Sequence, residues 1–231
     1  MQFLENPTID HLQKIESWLI EESQKTNEGF YCNWQIIVKC VHDNQLLIYH
    51  SNQEPIAFAC WYSGVGPYAD IDIFEVHPHF RNKGIGKEFY NKIEFFFKSK
   101  NYIAIKLFCS PIESETFWKK MNFIKFPKRG YAEPELTYYK PLIKVNNPIQ
   151  DDSGLTDKLE LWDLEPYEVT NQTPRWTWKI SETEYPVLQP CNPNWKLRLT
   201  KNGKIIRDDK VKYFDRESLI ELGPFLLIQI V

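Results

Sequence analysis

The sequence predicts a mixed α/β domain followed by a smaller, β-rich domain. Within 86–100, apolar residues recur at helical spacing, and strand-forming stretches lie on both sides of this segment. The stretch 141–152 is polar and rich in turn-forming residues. Beyond it, tryptophans alternate with polar residues, as they do in half-buried strands. We therefore assign the first domain to 1–144 and the second to 153–231.

The composition is that of an ordinary folded protein and does not indicate a nucleic-acid partner. Of 231 residues, 42% are hydrophobic and 26% are charged, whereas disordered chains have fewer apolar residues and a higher net charge. The 28 basic and 31 acidic residues leave a net charge of −3. Because neither half of the chain is basic, bulk charge does not favour binding to nucleic acid.

The cysteines and the first residues indicate a cytoplasmic protein. The five cysteines are an odd number and include no Cys-x-x-Cys pair, so we expect reduced thiols. The first ten residues lack the basic and apolar regions of a signal peptide. The longest apolar run, 225–231, is too short to span a membrane. The histidines and cysteines show no metal-ligand spacing, so we expect no metal.

Two helices are predicted at the start of the chain. Thr8 can cap a helix over 9–24, because the apolar residues that follow it fall on one helical face. These residues are Leu12, Ile15, Trp18 and Leu19. A second, shorter helix is predicted over 34–41.

Three strands follow these helices. The segments 45–50 and 56–63 are predicted to form a hairpin, because 51–55 contains the turn-forming residues Ser, Asn and Pro. A further strand covers 68–76 and ends before Pro78.

The remainder of the first domain alternates between helices and strands. The helix over 86–100 must cover a sheet face, and the apolar segment 103–109 is typical of a central strand. Ser110 and Pro111 form a helix start in which Ser110 caps, and this helix ends near Met121. Two short strands close the domain, at 123–126 and 136–139.

The second domain is predicted to be a small sheet with its own core. Apolar and polar residues alternate over 176–180 and 195–199. Asn202 and Gly203 follow, and this pair is a strong signal for a two-residue hairpin turn. The domain could contact a partner subunit in a homodimer, shape an acceptor site or recognise a protein substrate.

The loop before the 86–100 helix is the stretch most informative about chemistry. Gly84 and Gly86 allow positive φ and close approach of a ligand, and the N–H groups of the first helical turn can bind a pyrophosphate. A P-loop would require Ser or Thr where Glu88 stands, and a dinucleotide fingerprint would require a small residue in place of Phe89. Positive charge is added by Arg81, Lys83 and Lys87.

This loop resembles the acyl-CoA pyrophosphate loop of the GNAT superfamily of N-acetyltransferases. The family's pattern is Arg or Gln, two residues, Gly, one residue, then Gly or Ala, and its fixed positions are matched by Arg81, Gly84 and Gly86. A Val-x-Pro precedes the loop, and 117–123 is similar to the family's Phe-Tyr-x-Lys-x-Gly-Phe-like signature. Over 1–142, the order of predicted elements is also similar. The resemblance implies a GNAT-like mixed sheet, splayed at its centre and flanked by helices.

The resemblance also implies transfer of an acetyl group from acetyl-CoA to a primary amine of a small molecule or protein. Backbone groups near Val76 would bind the pantetheine arm and polarise the acetyl carbonyl. The amine would attack directly, without an acyl-enzyme. The residues that it implies for the acetyl-CoA site are Phe74, Val76, Arg81, Asn82, Lys83, Gly84, Ile85, Gly86, Lys87, Ser110, Phe117 and Trp118.

Two positions depart from the family's pattern, and both bear on catalysis. Trp118 stands where the family often has a Tyr that acts as general acid, and an indole N–H is a poor acid. Ser110 and Pro111 stand where the family often has an Asn. Acetyl-CoA binding is therefore better supported than the machinery for proton transfer.

Three carboxylates before the loop are candidate general bases. Alternation along a strand places Asp70 and Asp72 on one face and Glu75 on the other, unless a bulge intervenes. Two like charges at i and i+2 could raise the pKa of one carboxyl, although both could equally be solvated at an edge. Tyr139 is a candidate acid, because it lies, as does Tyr138, on a strand that often borders the substrate in this family, and the sequence does not choose between the two. The alternatives are Tyr90, Tyr131 and Tyr138.

Three functions are compatible with the sequence. The first is an active N-acetyltransferase. The second is an acyl-CoA-binding module without catalysis, since the usual acid is missing. The third is a toxin-like acetyltransferase of aminoacyl-tRNA, against which the neutral first half argues, because tRNA binding requires a basic face.

Overall fold

The chain forms two compact units in the computed structural model. The residues described are 1–27, 29–131, 133–151, 154–180, 185–214 and 223–229. The first unit comprises Met1–Ile124 and Leu136–Leu142, and the second comprises Lys125–Glu135 and Ile143–Val231. The expected domains were 1–144 and 153–231. They differ from these units in two places, because Lys125–Glu135 packs in the second unit and because the second unit resumes at Ile143.

The first unit is built on a mixed seven-stranded sheet. Its strands are β1 Gln2–Leu4, β2 Leu46–Ser51, β3 Glu54–Ser63, β4 Tyr68–Val76, β5 Ala104–Phe108, β6 Ile124–Lys125 and β7 Thr137–Pro141. The strand order is β1-β2-β3-β4-β5-β7-β6. The β4–β5 pair is parallel, whereas β3–β4 and β5–β7 are antiparallel. This arrangement confirms the predicted α/β class for the first part of the chain.

Helices cover both faces of this sheet. They are α1 Ile9–Thr26, α2 Trp34–His42, α3 Ile85–Ser99 and α4 Glu115–Lys120. On one face, Phe89 and Phe97 of α3 are fully buried in a core that also contains Trp118 of α4. On the other face, α1 and α2 contribute fully buried aliphatic side chains, among them Ile15 and Ile37. Among the described residues, no helix combines the length and apolar character needed to cross a membrane.

Most predicted elements of the first unit are confirmed, but two local predictions were wrong. The turn between β2 and β3 consists of Asn52 and Gln53, both at positive φ, so Pro55 lies within β3 and not in the turn. Ser110 does not cap a helix. A short 3₁₀ turn, Ile112–Ser114, intervenes, and α4 begins only at Glu115.

The second unit contains two antiparallel sheets in its described part. Its strands are β8 Lys158–Leu161, β9 Trp176–Lys179, β10 Val187–Pro190, β11 Lys196–Lys201, β12 Lys204–Lys210 and β13 Phe225–Ile228. Four strands pair in the order β12-β11-β8-β9, and β10 pairs with β13. The predicted hairpin at Asn202 and Gly203 is confirmed, and both residues have positive φ, as this turn requires.

A buried arginine explains why Lys125–Glu135 belongs to the second unit. Arg129 is 7% exposed, and its guanidinium donates to the carbonyls of Cys191 at 2.6 Å and Pro224 at 3.2 Å. It also pairs with Glu133. A guanidinium this deeply buried requires acceptors for its N–H groups, and the second unit supplies them. No hydrophobic pattern in the sequence marks this contact.

Candidate active site

The strands β4 and β5 separate beside the loop that the sequence singled out. They pair only from Tyr68–Ala104 to Ile71–Leu107, whereas β4 continues to Val76 alongside β3. The second half of β4 therefore has one edge that β5 does not cover. A splayed pair of this kind presents backbone donors and acceptors to a ligand.

The ladder between β3 and β4 shows which groups line this open edge. The N–H of His77 donates to the carbonyl of Ile56 at 2.9 Å. In an antiparallel ladder, consecutive residues direct their backbone groups to opposite sides. The N–H of Val76 therefore points away from β3, towards the splay, as does that of Phe74. These two residues are placed as expected for contact with a ligand between the strands.

The helix α3 begins beside this edge with free backbone donors. Its first backbone hydrogen bond runs from the N–H of Glu88 to the carbonyl of Gly84, at 3.1 Å. The preceding N–H groups, including those of Ile85 and Gly86, have no intrahelical acceptor, and the helix dipole adds partial positive charge. Asn82 and Gly84 have φ of 60° and 82°, which bend the loop onto the helix. This geometry suits a bound pyrophosphate.

The two glycines serve different purposes. A Cβ on Gly84 would meet no atom within 4 Å, so crowding does not require a glycine here. The positive φ of this residue favours glycine, and the absence of a side chain leaves space for a ligand. A Cβ on Gly86 would lie 3.5 Å from the ring of Phe117 and 3.6 Å from Val76. Gly86 thus brings the first turn of α3 close to β4 and α4.

The side chain of Arg81 is already engaged. One terminal nitrogen lies 2.6 Å from Glu22 and 2.8 Å from Glu75, while Nε donates to the carbonyl of Val76 at 2.9 Å. Arg81 therefore fastens the loop to β4 and α1. Lys83 donates to the carbonyl of His79 at 2.7 Å and also stabilises the loop. Lys87 is exposed on the first turn of α3, where its charge can face an anion.

Aromatic side chains form the wall between α3, α4 and β4. The rings of Phe74 and Phe117 stack at 5.7 Å, and Phe74 meets Trp118 edge-on at 5.1 Å. Trp118 is 5% exposed and also contacts Tyr90 and Phe123. Trp118 is thus a core residue of this wall. Ser110, two residues after the end of β5, is exposed.

A bulge in β4 rearranges the candidate bases. Trp61 pairs with Ile71 and Cys60 with Ile73, which leaves Asp72 as the extra, exposed residue of the bulge. The alternation shifts at this point. Simple alternation would place Asp70 with Asp72, but a bulge intervenes, which was the stated exception, and it brings Glu75 onto the face of Asp70.

Core packing on either side of the bulge confirms this assignment of faces. Ala69 and Ile71 before it, and Phe74 and Val76 after it, all pack in the α3 core. Ile73 packs in the core formed with α1 and α2. Asp70 and Glu75, at the intervening positions, consequently lie on the α1 face.

Asp70 belongs to a row of polar side chains across four strands. Directly opposite residues are Tyr62 on β3, Asp70 on β4, Lys106 on β5 and Tyr139 on β7. The ammonium of Lys106 donates to the Asp70 carboxylate. Burial raises the pKa of Asp70, and Lys106 opposes this rise. Burial likewise raises the pKa of Tyr139 to about 12, so this phenol keeps its proton at neutral pH. Two predicted catalytic residues are therefore brought into one row.

Of the three candidate bases, Glu75 is the one that contacts the N–H of Val76, a backbone group that faces the splay. Its Oε1 accepts from the N–H of Val76 at 3.0 Å. Burial raises the pKa of Glu75 to about 7. Arg81 opposes this rise, and the charge of Glu22 adds to it. A carboxyl with a pKa near 7 can accept a proton at neutral pH, as a general base requires.

Three residues at this site were not predicted from the sequence. Lys106 is a single cation within the apolar strand β5, and Tyr62 is reached only through the strand register. Glu22 follows Ile15, Trp18 and Leu19 at helical spacing on the buried face of α1. The position of a carboxylate on an apolar helix face could have drawn attention to Glu22. No local pattern indicates that Glu22 pairs with Arg81.

Comparison with known proteins gives a family match for the first half of the chain. The model of the acetyltransferase (GNAT) family matches residues 8–123. No curated protein matches the sequence significantly. The solved structures similar to this chain include a GNAT acetyltransferase from Staphylococcus aureus Mu50, with 16% identity and a TM-score of 0.49, covering 62% of this chain and 99% of that one.

Two further similar structures come from Thermoplasma. Ard1 from Thermoplasma volcanium is 18% identical, with a TM-score of 0.48, and the match covers 62% of this chain and 98% of the Ard1 chain. The second is the PaiA N-acetyltransferase from Thermoplasma acidophilum, solved with coenzyme A. It is 16% identical, with a TM-score of 0.45, and the match covers 60% of this chain and 97% of the PaiA chain. Because the family model spans half of the sequence, the chain belongs to the GNAT family of acetyltransferases, whose co-substrate is acetyl-CoA.

Proposed function

We propose that this protein transfers the acetyl group of acetyl-CoA to a primary amine of a small molecule or protein. The observation that carries the proposal is the separation of β4 from β5 after Ile71, next to the free N–H groups that open α3. A ligand with an extended amide-containing arm and a pyrophosphate fits these two neighbouring features. Acetyl-CoA has both.

In this proposal, the pyrophosphate binds at the first turn of α3. The N–H groups from Gly84 to Lys87 donate to its oxygens, and Lys87 adds charge. The pantetheine arm pairs with the open edge of β4 near Phe74 and Val76. Arg81 contributes indirectly, because its contacts with Glu22, Glu75 and Val76 hold the loop in place.

The amine nitrogen then attacks the carbonyl carbon of the thioester. The C–S bond breaks, the amine loses a proton, and the coenzyme A thiolate gains one. The N–H of Phe74, which also faces the splay, stabilises the negative charge that develops on the carbonyl oxygen, since the N–H of Val76 donates to Glu75. Glu75 accepts the proton from the amine, since its carboxylate lies 3.0 Å from the N–H of Val76 and its pKa is near 7.

Tyr139 is the proposed donor of the proton to the thiolate. Trp118 is a poor acid and is packed among aromatic rings. Tyr138 already donates its hydroxyl to Glu115. Tyr139 lies in the row that contains Asp70 and Lys106, and it is protonated at neutral pH, although burial raises its pKa to about 12 and so weakens it as an acid. We assign the base to Glu75 rather than to Asp70, because the Glu75 carboxylate lies at the part of β4 that β5 does not cover, whereas Asp70 lies where the two strands still pair.

Thiol release from acetyl-CoA tests this function. The purified chain should release coenzyme A in the presence of particular amines from a panel of polyamines, amino sugars and peptides, and mass spectrometry should show an acetylated product. Binding of acetyl-CoA without release in any mixture would indicate a binding module. Acetylation of aminoacyl-tRNA alone would select the toxin-like function.

A further inference from the structure

A buried carboxylate on α1 reaches the proposed site through one shared nitrogen. The side chain of Glu22 is 4% exposed, and that of Glu75 is 12% exposed. The same terminal nitrogen of Arg81 contacts both, at 2.6 and 2.8 Å. The two carboxylates therefore compete for one donor, and their negative charges lie close together.

The second oxygen of Glu22 makes this arrangement asymmetric. Glu22 Oε2 is buried and has no hydrogen-bond partner among the described residues. A Cβ on Gly29 would lie 3.1 Å from this oxygen, so the glycine leaves the carboxylate just enough room. A buried carboxylate with one unsatisfied oxygen is costly for stability alone. A role for the charge of Glu22, in acting on Arg81 and Glu75, would explain why this destabilising carboxylate is present.

Two elements packed against Glu75 carry charged groups that face its carboxylate. The loop contributes Arg81, and α1 contributes Glu22. His77 of the loop interacts with His79, Glu21, Glu22 and Arg81. Among the described residues, Glu22 is the negative charge with the largest effect on the pKa of Glu75.

We propose that Glu22 is a positioning residue of the transfer site, which acts through Arg81 to hold Glu75 against the N–H of Val76 and to set the pH at which Glu75 loses its proton. This inference rests on the proposed function of Glu75 as the base. Removing the charge of Glu22 leaves Arg81 to Glu75 alone. The deprotonated form of Glu75 is then favoured, so its pKa falls.

The substitution Glu22→Gln tests this inference, because glutamine preserves the shape of the side chain. In the wild-type protein, kcat/KM should rise with pH through about 7, where Glu75 titrates. In Glu22→Gln, we expect this rise to move to lower pH by about one unit. The control Glu21→Gln, at an exposed neighbour paired with Lys25, should leave the profile at its wild-type position.

A second measurement separates this inference from the proposed function. The carboxyl ¹³C signal of Glu75, assigned with Glu75→Gln, reports its titration in the absence of any turnover. A lower pKa in Glu22→Gln supports the inference even if no amine is acetylated. If Glu22→Gln does not fold, Glu22→Met, which leaves no polar group behind, should show the same shift. An unchanged Glu75 titration in either folded variant would overturn the inference.

Discussion

Asp70 and Lys106 are directly opposite residues of two parallel strands, and the lysine donates to the carboxylate where these strands begin to separate. Asp70 is 5% exposed, so its charge depends on this partner. The ion pair neutralises a carboxylate that would otherwise be buried next to the splay. Asp70 thus has an ammonium partner, whereas Glu75 shares one nitrogen of Arg81 with Glu22, and burial raises the pKa of Glu75 to about 7.

Lys106→Met should destabilise the protein in a pH-dependent manner. Removing one partner of a largely buried pair leaves Asp70 uncompensated, and we expect a loss of about 1–3 kcal/mol in the free energy of unfolding at pH 8. The pKa of Asp70, already raised by burial, should rise further, and stability should then fall as pH increases through it. Urea unfolding at pH 5 and pH 8 measures both effects.

The control for this prediction is Lys179→Met, at an exposed position on β9. It should change the free energy of unfolding by less than about 0.5 kcal/mol. Equal losses in both variants would show that the contact with Asp70 contributes nothing specific.

Glu75→Gln should abolish most turnover but preserve acetyl-CoA binding. We expect kcat to fall about 10²–10⁴-fold, because the amine loses its proton acceptor. Asp70→Asn, if folded, should reduce kcat far less. The reverse order of the two effects would assign the base to Asp70.

The raised pKa of Glu75 also predicts how stability depends on pH. The folded state binds a proton more tightly than the unfolded state does, so the contribution of Glu75 declines as pH rises from about 4.5 to about 7. Wild-type protein should lose roughly 2–3 kcal/mol across this window relative to Glu75→Gln. Parallel stability curves for the two proteins would contradict the assigned pKa.

Much of the first unit could be predicted from the sequence because its elements have strong periodic patterns. The helix α3 and the strand β4 lie within one residue of their predicted bounds. The face of Glu75 could not be predicted, since the bulge at Asp72 depends on pairing with β3 and has no local signal. Ser110 was predicted as a cap from good local chemistry, but the chain forms a 3₁₀ turn before α4.

The position of Lys125–Glu135 could not be predicted for a related reason. Its contacts are made with residues more than sixty positions away, such as the carbonyl of Cys191. Sequence patterns of short range carry no information about such pairs. The same limit applies to the contact between Arg81 and Glu22, which joins a predicted motif to an unpredicted partner.

Trp118→Phe should retain most of the chemistry at saturating acetyl-CoA. Trp118 packs among aromatic rings, so the smaller ring should cost about 1–3 kcal/mol of stability while leaving kcat within about tenfold. Steady-state kinetics and thermal unfolding separate the two effects. A loss of several orders of magnitude in kcat, in a folded variant, would make Trp118 a catalytic residue.

A truncated chain, 1–144, should bind acetyl-CoA but be poorly soluble. It keeps Phe126 and Arg129 while removing their partners Phe225, Cys191 and Pro224. Exposed Phe126 favours aggregation, so adding Phe126→Ser to the truncated chain should raise its solubility. Soluble truncated protein with no acetyl-CoA binding would show that the first unit does not form the site alone.

Binding of acetyl-CoA to Gly84→Asp, measured by calorimetry, tests the central claim most directly. The aspartate would place negative charge and a side chain in the open space above the first turn of α3, where the pyrophosphate should lie. The control is Gly203→Asp, which has a similar positive φ and equally open surroundings in the β11–β12 turn. The account predicts wild-type affinity for Gly203→Asp and at least about tenfold weaker binding for Gly84→Asp. Equal affinity in all three folded proteins would contradict it.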